Sequence, residues 1–285
     1  MLSRVVAASR VSVGAVASMC VRGLATAAAP AKIQRPKHTG PPTVQSTAAE
    51  IKYLGTVYSI AASSNHLTKD KLEFVVREAK SEKDLPFARE SLDTYERNFL
   101  LIPTHCTGTF VSKCIQNNQA DMALQWMQDS KFLPKHIVNG TFSRLIDHYS
   151  DVGQVDKALA VFDVVTKHKI EATTKVYTSM IKMGKKNGKA DLALEFATKA
   201  SHAKMINSHA LLQLVGDLPD SDVRDLMPVV KDLAHLGEVF VNKELAALFA
   251  RYEMEAEPVA ASSDAAADED DADDDAADET TDKKD

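Results

Sequence analysis

Four lysines, Lys182, Lys185, Lys186 and Lys189, stand within eight residues, and so dense a basic cluster either meets a polyanion or forms a solvated helix face. The surrounding stretch 184–190 is not a phosphate loop: it lacks the first glycine at the required spacing and has Ala190 where a Ser or Thr would hold magnesium. It reads as a turn between helices. Cys20, Cys106 and Cys114 form no disulfide framework, and His105-Cys106 with Cys114 offers at most three metal ligands without a CxxC pair, so buried cysteines acting as small hydrophobes are expected. The nine histidines are scattered, and His148 and His168 fall on or beside helices where surface or capping roles suffice. GxSxG, HExxH and a post-strand GxGxxG are absent, as are paired carboxylates outside the acidic C-terminal stretch. The expectation is a non-enzyme that acts by binding, with no cofactor, no metal and no small-molecule substrate.

The elements that must position such a cluster are helical. Hydrophobic residues make up 45% of the 285, enough for a core, but the first fifty and last thirty residues have compositions that cannot join one. The folded part is therefore placed at 50–252. Glycine is scarce at 11, aromatic content is 6%, and stretches such as AEIKYLGTVYSIAASS and DKALAVFDVVTK carry apolar residues at helical spacing, giving an all-α class. The formal charge of -6 is uneven: residues 253–285 hold fifteen acidic and two basic residues, a net of -13, leaving +7 for the rest. An alanine-rich acidic run without aromatics cannot offset its ordering entropy by burial, so 253–285 reads as a disordered tail that either solubilises the chain or competes for its basic face.

No acidic residue occurs before Glu50, while Arg4, Arg10, Arg22, Lys32, Arg35 and Lys37 stand amid Ser, Ala and Val. Residues 1–29 read as a mitochondrial presequence leading to the matrix, with processing near Arg22-Gly23-Leu24-Ala25. The competing reading is a secretory signal built on the uncharged run 11–21, in which case the Asn139-Gly140-Thr141 sequon would matter. Arg10 and Arg22 on both flanks and the absence of paired cysteines oppose it. Residues 30–49, with Pro30, Pro36, Pro41 and Pro42, read as a linker, and no later stretch has the roughly 18 uncharged apolar residues of a spanning helix.

The chain matches itself at an offset of 35. Asp121, Asp156 and Asp191 lie on that ladder, as do Ala123, Ala158 and Ala193, then Leu124, Leu159 and Leu194, and Gly153 meets Gly188. Within a unit, Phe142, Leu145, Ile146 and Tyr149 make an i, i+3, i+4, i+7 stripe, a glycine turn follows, and a second stripe is expected at Ala158, Leu159 and Phe162. The alanine admits a close helix contact, and the aspartate sits where a carboxylate favours a helix N-terminus. Such a helix-turn-helix unit buries its stripe only against neighbours, which predicts a short α-solenoid of helix-turn-helix repeats with a 35-residue period, best formed over 104–208.

The units 139–173 and 174–208 resemble the pentatricopeptide repeat family: each has an aromatic near its start (Phe142, Tyr177), a Leu/Met-Ile pair, a turn glycine and Asp-x-Ala-Leu, and the first also has Phe162. The unit at 104–138 keeps Asp121, Ala123 and Leu124 with Asn118 for the glycine, and an earlier one at 69–103 keeps Val75, Val76 and Ala88. Tetratricopeptide repeats are the nearest alternative, but they place a small residue where Ile146 and Ile181 stand, and their unit is one residue shorter. The resemblance implies that a polar residue at the fifth position and one at the end of each unit read an RNA base while lysines hold phosphates. It brings forward Ser143 with Thr173, Thr178 with Ser208, and Lys175, Lys182, Lys185 and Lys186 as RNA-binding residues. The usual Asp or Asn is missing from Thr173 and Ser208, and the third unit pairs Gly108 with Val138, which argues against specific base reading. Residues 104–208 carry fourteen basic and nine acidic residues. The expected partner is mitochondrial RNA or a ribonucleoprotein; the alternative is a protein scaffold docking subunits of an assembly such as the mitochondrial ribosome.

Overall fold

In a computed structural model, which describes residues 40–57, 66–216 and 218–252, the periodic segments fold as helices and no strand occurs among the described residues. The helices are α1 (Val44–Val57), α2 (Lys69–Glu78), α3 (Leu85–Arg97), α4 (Thr104–Gln116), α5 (Ala120–Asp129), α6 (Asn139–Asp151), α7 (Val155–Lys167), α8 (Thr174–Lys186), α9 (Ala190–His202), α10 (Ser208–Val215), α11 (Asp220–Leu236) and α12 (Lys243–Arg251). The presequence and acidic tail lie outside the described residues.

Consecutive helices from α2 onward pair as antiparallel-type hairpins, α2 with α3, α4 with α5, α6 with α7, α8 with α9 and α10 with α11. The first helices pack on one another in a row, α2 on α4, α4 on α6, α6 on α8, α8 on α10 and α10 on α12, while α5 packs on α7 and α9 on α11 behind them. The core runs between these two layers. Phe142, Leu145, Ile146 and Tyr149 of α6 are all buried, as the stripe requires, and so are Ala88, Ala123, Ala158 and Ala193 of the second helices. Full burial of a side chain such as Leu or Phe contributes about 1.5–3 kcal/mol, which outweighs the weak helix propensity of the β-branched residues Val161, Val164 and Val165 in α7.

Three of the hairpins, α4 with α5, α6 with α7 and α8 with α9, turn on one residue in the left-handed region: Asn118 at φ 56°, Gly153 at 75° and Gly188 at 67°. Glycine lacks the Cβ that disfavours this conformation, and asparagine tolerates it, so Asn118 serves where the other units have glycine. The turns are closed by paired backbone bonds, for instance Gly153 N–H to the Ser150 carbonyl at 3.2 Å and Gln154 N–H to the Tyr149 carbonyl at 2.8 Å. Three residues further on, Asp121, Asp156 and Asp191 occupy the first turns of α5, α7 and α9.

Two expectations are corrected. Residues 44–49, read as linker, are the start of α1: Thr43 and Ser46 cap it reciprocally at 2.8 and 3.1 Å, and Val44, Thr47 and Ala48 are buried. In α7 the buried stripe is Val155, Ala158, Val161, Val164 and Val165 rather than Ala158, Leu159 and Phe162. Leu159 and Phe162 are half-buried on the flank, where the Phe162 ring meets Tyr177 at 5.8 Å and Phe196 at 4.9 Å in the next hairpin. The side of a hairpin therefore also carries apolar contact.

Candidate nucleic-acid interface

Helix α8 forms because Val176, Met180, Ile181 and Met183 face the core, with Ser179 and Gly184 beside them. Its outer side is then left to Lys175, Lys182 and Lys186, all exposed. Lys189 follows as the exposed residue that caps α9. Lys175, Lys182 and Lys189 make no ion pair among the described residues. Lys186 does: its Nζ lies 2.6 Å from Asp151 Oδ1 on α6. That hydrogen bond, with the positive charges of Lys186, Lys182 and His148, holds the Asp151 carboxyl below its ordinary range. Lys185 is half-buried and runs toward the end of α10, its Nζ 3.9 Å from where a Cβ on Gly216 would stand.

The remaining residues brought forward by the resemblance are not assembled around these lysines. Ser143 is fully buried at 0% exposure, its hydroxyl 3.5 Å from the Asn139 carbonyl of its own helix, so it cannot face a ligand. Ser208 is buried at the start of α10, where its hydroxyl donates to the Phe240 carbonyl and accepts the Asn242 N–H at 3.4 Å. Both hydroxyls are thus enclosed by protein, that of Ser143 against its own helix and that of Ser208 against the segment before α12. Thr178 is half-buried and donates to the Thr174 carbonyl at 2.8 Å, and Thr173, also half-buried, caps α8 without a side-chain bond. Gly108 is half-buried and Val138 exposed.

The positive charge of 104–208 is more local than its total implies. Arg144 donates to Ser112 Oγ at 2.6 Å, Lys157 bonds both carboxylate oxygens of Asp121 at 2.6 Å, and Lys167 donates to the Gln128 carbonyl at 2.9 Å. Lys199 pairs with Glu195, Lys204 with Glu238, and Lys113 with the Arg77 carbonyl. With Lys186, at least seven of the fourteen basic side chains are thus engaged by protein, and α6 presents Asp147 and Asp151 in the register where α8 presents Lys182 and Lys186. Lys175, Lys182 and Lys189, on α8 and the turn after it, are exposed lysines of this stretch that make no ion pair among the described residues.

Sequence reading missed these links between hairpins. Their signal was opposite charges one period apart, at 36 residues for Asp121 and Lys157 and 35 for Asp151 and Lys186. Tyr149 joins the first pair, its hydroxyl donating to Asp121 Oδ1 at 3.0 Å.

A second exposed feature lies on the loops that join hairpins. Phe99 is 65% exposed with φ 56°, a left-handed conformation that a bulky side chain disfavours. Leu101 beside it is 57% exposed, and the Phe99 and Phe132 rings meet edge to face at 5.6 Å. Beneath them a shallow cavity of about 270 Å³ holds Glu96, whose Oε1 accepts the Ser130 hydroxyl at 2.7 Å and the N–H groups of Lys131 and Phe132 at 2.8 and 2.7 Å.

No helix among the described residues is long and apolar enough to cross a membrane. The sequence matches no family model and no curated protein.

Proposed function

We propose that this chain is a pentatricopeptide-type protein, a short α-solenoid with a 35-residue period, that binds RNA in the mitochondrial matrix and catalyses no reaction. The observation that carries the reading is the spacing of helix starts. First helices begin at Lys69, Thr104, Asn139 and Thr174 and second helices at Leu85, Ala120, Val155 and Ala190, each 35 residues after the last; Ser208 follows Thr174 by 34, and Lys243 follows Ser208 by 35. The exposed lysines of α8 supply phosphate contacts, and the burial of Ser143 and Ser208 leaves little for base reading, so affinity is expected to depend on charge more than on sequence. The acid-free leader supports the mitochondrial placement.

Exposed Phe99 and Leu101 favour a second reading, a scaffold that docks subunits of a mitochondrial assembly such as the ribosome. Sedimentation of the tagged protein from mitochondrial lysate, with and without ribonuclease, separates the two. Particle-sized migration lost on ribonuclease treatment supports RNA-dependent binding; migration that survives supports the scaffold.

A further inference from the structure

Glu73 of α2 and His105 and Cys106 of α4 bring three different ligand atoms within 4.8 Å of one another. His105 Nε2 lies 3.2 Å from Glu73 Oε1 and 3.5 Å from Cys106 Sγ. We propose that these residues form a three-ligand site for a zinc-class divalent ion that joins the first helices of two neighbouring hairpins, with a water molecule as fourth ligand.

The first support is the one nitrogen that meets two electron-rich atoms. A neutral ring nitrogen has either one in-plane hydrogen or one lone pair, so it cannot form a good directed bond to both the carboxylate and the sulfur. A cation at their common focus satisfies all three. The two separations from the ring nitrogen agree with that arrangement: zinc bonds of about 2.0–2.3 Å at tetrahedral angles place nitrogen roughly 3.3 Å from oxygen and roughly 3.5 Å from sulfur, while the carboxylate oxygen and the sulfur lie within 4.8 Å of each other. Burial is graded in the same sense, with Cys106 inside, Glu73 half-buried and His105 exposed at the rim, which leaves the fourth position open to solvent. A mixed oxygen, nitrogen and sulfur set suits zinc better than magnesium or calcium, which take oxygen ligands. The sequence offered His105 and Cys106 as ligands but not Glu73, which stands 32 residues before His105 and meets it only through the packing of α2 on α4. This site is independent of the RNA reading.

The test uses the full chain with cobalt(II) as probe, since cobalt reports a bound thiolate by charge-transfer absorption and tetrahedral geometry by its visible bands. One equivalent should give both, and zinc should abolish them. Cys106→Ser should remove the charge-transfer band. His105→Ala, made at an exposed position that leaves the helices intact by circular dichroism, should weaken binding by more than the about 10–100-fold that loss of an outer-shell partner costs. Cys114→Ser, a buried cysteine outside the cluster, should leave both signals in place. The absence of a charge-transfer band in the unaltered protein, its persistence in Cys106→Ser, or unchanged affinity in His105→Ala would each overturn the site. Oxygen-only binding by the acidic tail gives no thiolate band and counts against it as well.

Discussion

A Cβ on Gly184 would stand 2.8 Å from the Ala193 backbone nitrogen and 3.0 Å from its Cα and Cβ, so α8 and α9 cross where neither has a side chain larger than methyl. The obstructing atoms are mostly main chain and cannot rotate away. Replacing a helical glycine by alanine normally stabilises by about 0.5–1 kcal/mol, but overpacking a tight contact costs about 1–3 kcal/mol. Gly184→Ala should therefore be destabilising, by up to about 2 kcal/mol in urea unfolding. A raised midpoint would mean that the helices are not in this contact.

Ala158 occupies the equivalent close position in α7 at 0% exposure. Ala158→Trp should cost at least the about 1–3 kcal/mol of ordinary overpacking, read as a lowered melting temperature. An unchanged melting temperature would place Ala158 on the surface and the helix register in error.

His136 gives the fold a pH dependence. It is buried, its Nδ1 accepts the Ile102 N–H at 3.3 Å, and desolvation chiefly lowers its pKa below the ordinary 6.5. Above about pH 6.5 the ring is neutral in both the folded and unfolded chains and costs nothing. As the pH falls below that value the unfolded chain takes up the proton first, so stability declines until the folded pKa is reached. His136→Gln should remove this component: the urea midpoint of the unaltered protein should fall more between pH 7 and pH 5 than that of the variant. Equal declines would contradict the buried, neutral ring.

The helical segments and the turn chemistry were legible because they are local. Gly153 and Gly188 marked left-handed turns, and the alanine ladder marked the crossing that Gly184 and Ala193 share. The face of α7 was less legible, because Leu159 with Phe162 and Val161 with Val165 both repeat at helical spacing, and the choice between them is made by the neighbouring hairpin. The surroundings of the candidate residues were not legible for the same reason. Ser143 looked available until α6 was packed between its neighbours, and Lys186 looked free until Asp151 reached it from the previous unit.

The central claim is that the α8 surface binds RNA through phosphate contacts, and it is tested by the salt dependence of binding. Unrelated single-stranded RNAs would be titrated across a salt series with the chain shortened to residue 252, so that the acidic tail does not compete, and with the full chain for comparison. Each phosphate contact on a single strand adds about 0.7 to the slope of log affinity against log salt, so Lys175, Lys182 and Lys189 changed together to glutamine should flatten it by up to roughly 2. The different RNAs should lose affinity alike. An unchanged slope would remove these lysines from the interface, and no binding by the shortened chain even at low salt would contradict the RNA function and leave the scaffold reading in its place.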